Sequence, residues 1–312
     1  MSSDMTGGEI KRGKQAATLS PSTKLGVNWT ELRHHLEETV MWAADLSVTL
    51  LPDSLLPQRL ELDPGRPQPL LIAHRGAWLE AGFLENTLPA FQRAMDCGCD
   101  GLEFDVHLTS DGVPVIHHDA NTARVFGRDC ELGSTKFADL RRQFPQIPTL
   151  QEVAEKFPSA HLFVEIKGAA ESWSASERSH VREALGEHAN WHVMSLDLKT
   201  LTQFAQDASF GSRRCVPVAT TNVAEASRLA LEQNWAALTG QWLLLSSGRI
   251  RLHRARGQML GAGFIASRNS LAREWHRGVG WIFTNHGHLV AGWWQQIAKS
   301  RDGVDTSRMS SP

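Results

Sequence analysis

The sequence predicts an α/β fold, a (β/α)8 TIM barrel with an N-terminal helical extension, on two observations. From Leu70 onward short apolar runs alternate with longer segments of helical period, and eight such runs precede the C-terminus. Strand–helix alternation of this kind builds a parallel sheet covered by helices. Eight units are enough to close a barrel of ~250 residues, with a doubly wound open sheet as the rival arrangement.

The strands, in order, are LLIA, GLEFDV, VPVIH, HLFVEI, WHVMSL, RCVPVA, MLGAGFI and GWIFT. Helices are expected at TLPAFQRAMDC, SASERSHVREALGEHA, LKTLTQFAQDA, NVAEASRLALEQN and SLAREWHRG, each with apolar residues at helical spacing. The stretch WAALTGQWLLLSSGRIRLHRARG has room for one more strand, so the count is open by one.

Residues 1–27 are polar and aperiodic and are expected to be a disordered tail. Residues 28–68 are expected to pack on the barrel as a helix followed by a linker. Asn28 and Glu31 have capping-box spacing, Trp29, Leu32, Leu36, Val40 and Ala43 recur at helical intervals, and Pro52, Pro57, Pro64, Pro67 and Pro69 then forbid a continuing helix. The barrel spans 69–300, and 301–312 read as a second disordered tail.

A formal charge of −2 over 312 residues supplies no global field for nucleic acid, which is not an expected partner. No apolar run approaches the ~20 residues of a membrane span, and the N-terminus lacks the apolar core of a secretory signal. Four cysteines do not make a disulfide framework, and Cys97 and Cys99 are too close for an unstrained bridge. They are expected in the core, and a reducing cytoplasm is the simplest setting.

The chemistry gathers in GLEFDVHLTSDGVPVIHHDA, Gly101 to Ala120. Alternate residues of a strand share a face, so Glu103 and Asp105 point the same way, as do Glu165 and Lys167 in HLFVEIKG. Both pairs fall near the C-terminal ends of their strands, where a barrel carries its active site. Three converging carboxylates suit a hard divalent cation. Basic groups stand at two further strand ends: His74 and Arg75 in IAHRG, and His117 and His118 in VIHHDA. Arginine and a cation together suit phosphate, and two imidazoles can move protons to and from its ester oxygens. Each feature alone has a structural explanation, such as a solvated turn or a strand edge; their conjunction at four strand ends favours function.

These residues carry a resemblance. AHRG, ENTLPAF, GLEFDVHLTSDGVPVIHHD and FVEIKG occur in the order found in the glycerophosphodiester phosphodiesterase family, and the chain resembles it from Leu70 to Leu289. The resemblance implies a (β/α)8 barrel with His74 and His118 as the catalytic pair. It implies Glu103, Asp105 and Glu165 as ligands of Ca2+ or Mg2+, and Arg75 and Lys167 as phosphate contacts. Glu85 and Asn86 match the family's ENT element, which implies substrate binding, although Asn86 equally suits an N-cap for the helix starting at Thr87. His117 is expected to be spare. The C-terminal half departs from the pattern: Gly263 or Phe264 stands where similar members carry tryptophan, and Asn285 and Gly287 replace an aspartate and a proline in IFTNHGHL. Trp78 and Trp281 are candidates to line a larger alcohol pocket, with packing as the alternative for Trp281.

The implied activity is cation-dependent hydrolysis of a small-molecule phosphodiester to an alcohol and a phosphomonoester such as glycerol 3-phosphate. Which histidine is the acid, and whether water or a substrate hydroxyl attacks, stay open. Three alternatives remain: a catalytically silent phosphodiester-binding barrel, a phospholipase D-like enzyme acting on lysophospholipids, and a zinc hydrolase. The last is disfavoured because the carboxylates offer only oxygen. Arg249, Arg251, Arg254 and Arg256 are expected to form a solvated helix face, with anionic lipid or another chain as alternative partners.

Overall fold

The computed structural model describes Ala43, residues 67–80 and residues 82–308, with side chains through residue 298. These residues belong to the second of two units into which the chain divides, Val40–Pro312. The expected N-terminal tail, the capped helix at Asn28 and the proline-rich segment up to residue 66 lie outside the described residues, apart from Ala43.

Eight parallel strands close a barrel: β1 (Leu70–His74), β2 (Gly101–Leu108), β4 (His161–Ile166), β5 (Trp191–Ser195), β6 (Cys215–Ala219), β7 (Ala237–Gln241), β8 (Met259–Gly263) and β9 (Trp281–Thr284). Closure is made by β1 against β9, with Leu70 beside Trp281 and Ala73 beside Thr284. A short β3 (Pro114–Ile116) lies antiparallel to β2.

The number of barrel strands is as expected, but two strands exchange places. VPVIH is not a barrel strand, because residues 109–113 are too few for a parallel crossover, which needs a dozen or more residues; the chain can only double back. Its place in the barrel is taken by β7, which lies inside the stretch WAALTGQWLLLSSGRIRLHRARG. Its ALTGQ sequence is short and carries Gly240 and Gln241, so it lacks the β-branched texture of a buried parallel strand.

Period-two alternation divides every strand between two cores. Leu102, Phe104 and Val106 face the helices, as do Leu162, Val164 and Ile166, in the large outer core. Ile72, Phe163, Met194, Val216, Trp281 and Phe283 fill the barrel. Burying one such side chain contributes about 1.5–3 kcal/mol. Gly261 is required inside the barrel, since a Cβ there would lie 2.6 Å from Thr239 Cγ2 and 2.8 Å from Phe283 Cε2.

Helix α1 (Leu88–Asp96) buries Ala90, Phe91 and Ala94, and Phe91 packs against Phe104 at 5.6 Å. Pro89 in its first turn costs no intrahelical bond, and Gly98, with φ of 95°, ends it in the left-handed region. The helix begins one residue later than expected: Thr87 is the N-cap residue, and Asn86 is not. Further around the barrel lie α2 (Ala123–Phe126), α3 (Phe137–Gln143), α4 (Leu150–Lys156), α5 (Ala175–Leu185), α6 (Leu198–Gln206), α7 (Val223–Glu232), α8 (Ser247–Ala255), α9 (Arg268–Arg277) and α10 (Gly287–Arg308). Helix α10 runs past residue 300, where the barrel was expected to end. Pro67 and Gln68 accept hydrogen bonds from Trp275 and Trp294, which ties the end of the proline-rich segment to α9 and α10.

All four cysteines are free. Cys99 and Cys215 are buried, with burial pushing each thiol up to about 12, whereas Cys97 is only half-buried and so is not the core residue expected.

Candidate active site

The inward faces of β2 and β4 change character along their length. On β4 His161 lies at the N-terminal end, Phe163 in the middle and Glu165 at the C-terminal end; on β2 the series is Gly101, Glu103 and Asp105. Strand register then assembles the charges. Asp105 is the neighbour of Glu165 across β2–β4, and His74 is the neighbour of Glu103 across β1–β2.

Glu103, Asp105 and Glu165 are all buried, and they bring one oxygen each to within 4.8 Å of one another. Neither carboxylate oxygen of Glu103 has a hydrogen-bond partner. Burial, with Asp105 and Glu165 adding to it, pushes the Glu103 carboxyl well above the usual range. Burial acts the same way on Asp105, but Lys167 and Arg75 outweigh it and hold that carboxyl well below the usual range. A buried, unsatisfied carboxylate beside two others is costly unless something positive joins it. An oxygen-binding divalent cation fits these donors.

Cationic groups surround the triad. Lys167 Nζ lies 2.7 Å from Asp105 Oδ1 and also pairs with Glu165; burial opposes its charge, but these carboxylates raise its pKa. Arg75 Nε is 3.3 Å from Asp105 Oδ2, and its Nη1 is 3.4 Å from Glu85 Oε1. Asn86 Nδ2 donates to Asp105 Oδ2 at 2.8 Å. Its expected capping role gives way to this bond. Arg75 and Asn86 adopt left-handed φ values of 58° and 57°, and the Asn86 amide donates to the Arg75 carbonyl at 3.1 Å. The next residue, Gly76, has φ of 80°, and a Cβ there would meet the Ala90 carbonyl carbon at 2.8 Å. Packing of α1 against this turn thus holds Arg75 in a conformation that costs a non-glycine residue energy.

The two imidazoles are held differently. His74 donates from Nδ1 to Asn285 Oδ1 at 2.6 Å, leaving Nε2 as the lone-pair nitrogen, 3.7 Å from Glu103 Oε2. Burial, reinforced by the charge of Arg75, pushes its pKa down to about 3. His118 Nδ1 contacts Asp119 Oδ1 at 2.8 Å. Asp119 accepts from Arg124 Nε at 2.7 Å, and Arg124 also bonds Glu85 through both terminal nitrogens, at 3.0 and 2.5 Å. Burial raises the Glu85 carboxyl, but Arg124 and Arg75 outweigh it and lower the pKa.

The sequence residues His74, Arg75, Glu85, Asn86, Glu103, Asp105, His118, Glu165 and Lys167 are therefore brought to one end of the barrel, the C-terminal end. His117 is not part of this group: it is buried and stacked on Phe126, with ring centroids 5.9 Å apart. Trp281 sits at the opposite end, packed against Phe163 and His192 at 4.9 Å each, so it does not line the mouth. Phe264, with φ of 38°, meets His74 edge-on at 5.1 Å.

Sequence reasoning missed Arg124, Asp119 and His107. His107 was visible in principle, because it continues the Glu103–Asp105 alternation; its Nε2 lies 3.1 Å from the His118 carbonyl oxygen. Arg124 carried no signal, since only the fold of residues 119–131 brings it to Glu85.

Comparisons with known proteins bear on the family and the fold. Residues 74–259 match the family model described as the glycerophosphoryl diester phosphodiesterase family. Glycerophosphodiester phosphodiesterase 1 of Rattus norvegicus is 36% identical over 138 residues, 39% of this chain and 41% of the relative. Lysophospholipase D GDPD1 of the same organism is 36% identical over 113 residues, 31% of this chain and 35% of the relative. The chain thus spans less than half the length of these curated relatives. Among solved structures, the glycerophosphodiester phosphodiesterase of Thermotoga maritima superposes with a TM-score of 0.61 at 23% identity, covering 72% of this chain and 97% of that one. An Oleispira antarctica phosphodiesterase, solved in complex with the product sn-glycerol-3-phosphate, gives 0.62 at 23% identity, covering 74% and 97%. Both show the same fold. With a family match that spans most of the barrel and contains the carboxylates, the histidines and the lysine of the site, this chain belongs to the glycerophosphoryl diester phosphodiesterase family.

Proposed function

We propose that this chain hydrolyses a glycerophosphodiester, or a related small phosphodiester, to an alcohol and a phosphomonoester such as glycerol 3-phosphate. The observation that carries the reading is the convergence of Glu103, Asp105 and Glu165 with Lys167, Arg75 and two separately anchored imidazoles. Glu103, Asp105 and Glu165 would hold a divalent cation, Mg2+ or Ca2+, which when bound supplies positive charge to a phosphate oxygen. Arg75 and Lys167 bind the remaining phosphate charge.

The different anchors of the two imidazoles support one allocation of the proton steps. His74, kept neutral by burial with its proton on Nδ1, offers Nε2 to the attacking oxygen, either water or a neighbouring substrate hydroxyl. As that oxygen bonds to phosphorus, its proton passes to His74 Nε2. His118, backed by the Asp119 carboxylate, donates a proton from Nε2 to the departing alkoxide oxygen as the phosphorus–oxygen bond breaks. Attack by a substrate hydroxyl would give a cyclic phosphate, and attack by water the monoester.

Phe264 at His74, with Asn285 beside it, makes the wall that would face the alcohol. Relatives named lysophospholipase D keep a lysophospholipid open as substrate. Among the described residues no helix is long and apolar enough to cross a membrane, and the four free cysteines suit a reducing, cytoplasmic setting.

The test is incubation of the purified chain with diverse glycerophosphodiesters and lysophospholipids, with Mg2+, Ca2+ or chelator. Cation-dependent release of alcohol and phosphomonoester, absent in His118→Ala, is expected. Saturable binding without turnover would make it a silent barrel instead.

A further inference from the structure

Eight large apolar side chains are exposed among the described residues, each between 38% and 47%. Isolated exposed leucines are ordinary on a soluble surface. These are not scattered. Six of the eight follow the C-terminal ends of barrel strands: Leu79 and Leu84 after β1, Leu196 after β5, Leu243 and Leu244 after β7, and Leu289 after β9. The other two, Leu252 on α8 and Met259 at the start of β8, lie away from that end. Strands β7, β8, β9 and β1 are consecutive around the barrel, so five leucines occupy one continuous arc of the mouth. Phe264, half-buried after β8, fills the gap in that arc.

Charge in the connections after β7 and β8 has one sign. No Asp or Glu occurs between Glu232 and Glu274, a stretch that includes the connections after β7 and β8. Arg249 and Arg268 stand in the first turns of α8 and α9, at the same end of the barrel as the leucines, and Arg249 Nη1 reaches the Leu244 carbonyl at 3.5 Å. The acids of the β1 connection are already paired: Glu80 with Arg93 at 2.9 Å and His288 at 3.0 Å, and Glu85 with Arg124 and Arg75. Leucines interleaved with unopposed arginines are the pattern that seats a protein in the interface of an anionic bilayer, the apolar groups entering the acyl boundary and the cations meeting headgroup phosphate.

We propose that the β7–β8–β9–β1 arc of the barrel mouth docks on an anionic phospholipid surface. The docked chain faces the membrane with the same end that carries Glu103, Asp105, Glu165 and the histidines, so a diester anchored in the bilayer meets the site without leaving it. This goes beyond the proposed hydrolysis, since the arc can dock whether or not the site turns over.

The test is sedimentation of the full chain with sucrose-loaded vesicles, either pure phosphatidylcholine or a mixture with phosphatidylglycerol. Binding to the mixed vesicles, and weaker binding to the neutral ones, is expected. The double variant Leu243→Ser/Leu244→Ser is expected to lose at least about tenfold in vesicle affinity. Arg249→Glu/Arg268→Glu is expected to lose at least about fivefold per charge, through headgroup attraction, and Leu252→Ser should bind as the parent does. Absence of binding to mixed vesicles, or an equal loss in Leu252→Ser, overturns the proposal. So does a concentration-dependent dimer that dissociates in Leu243→Ser/Leu244→Ser, which would give the arc to a second copy of the chain. Turnover of water-soluble glycerophosphocholine, measured in parallel, separates the two readings: vesicle binding without turnover removes the catalytic one and leaves the docking one standing.

Discussion

His74 donates its Nδ1 proton to Asn285 Oδ1 at 2.6 Å, across the closure between the first and last barrel strands. The family resemblance implies that Asn285 stands in place of an aspartate. A neutral amide there fixes the tautomer of His74 without adding negative charge. Asn285→Leu is expected to lower kcat by about 10²-fold, the lower end of what a positioned acid–base group supplies, with KM almost unchanged. Asn285→Asp should restore turnover and move the acid limb of the kcat–pH profile upward, because a carboxylate favours the protonated imidazole. A change confined to KM would show that Asn285 only contacts substrate.

Glu103 is buried with neither oxygen hydrogen-bonded, so it strains the folded state unless a cation joins it. Glu103→Gln is expected to reduce turnover by at least about 10²-fold while leaving Tm in chelator unchanged or raised. Added Mg2+ or Ca2+ at 100 times its Kd should stabilise the parent by about 2.7 kcal/mol, and this gain should vanish in Glu103→Gln. A thermal shift of the same size in both would move the cation elsewhere.

If His118 protonates the leaving oxygen, its importance depends on the alcohol. His118→Ala is expected to lose about 10²–10⁴-fold on alkyl diesters but far less on a p-nitrophenyl diester, whose leaving group needs no proton. His74→Ala should lose activity on both. Equal losses in His118→Ala on the two substrates would reverse the assignment of acid and base.

At the far end of the barrel, His161 Nε2 and His192 Nδ1 lie 2.8 Å apart beside Trp281. Burial, then the charge of Arg214, holds His161 down at about 4, and burial, then His161 itself, holds His192 down at about 3. In the unfolded chain both titrate near 6.5. As pH falls from about 6.5 towards 4 the unfolded chain takes up protons that the folded one refuses, so stability declines through this window; above it their contribution is constant. Urea midpoints measured between pH 7 and 4 should fall, and fall less steeply in His192→Phe. An unchanged slope in that variant would assign the acid sensitivity to other groups.

The site was more legible in the sequence than the fold's details were. Glu103, Asp105 and Glu165 stand at alternate positions of apolar runs, where charge is so costly that ligand binding is the economical explanation. Strand membership was harder. VPVIH has the composition of a buried strand, yet the shortness of the preceding turn forces it antiparallel, and ALTGQ has little strand character but is held in place by β6 and β8 on either side. Asn86 suits a helix cap as well as a substrate contact because asparagine commonly caps helices; a left-handed backbone and the proximity of Asp105 direct its side-chain amide to that carboxylate instead.

By itself the sequence determined the chemistry present: period-two alternation put the carboxylates on one strand face, and alternating strands and helices placed that face at the C-terminal end of a barrel. Only the tertiary structure decided which groups touch. Barrel closure carries Asn285 to His74, 211 residues away in the chain, and the loop after β3 carries Arg124 to Glu85, 39 residues away. Alternation along a strand is a local property of the backbone, whereas contacts between strands and loops are set by register and closure, which no single segment encodes.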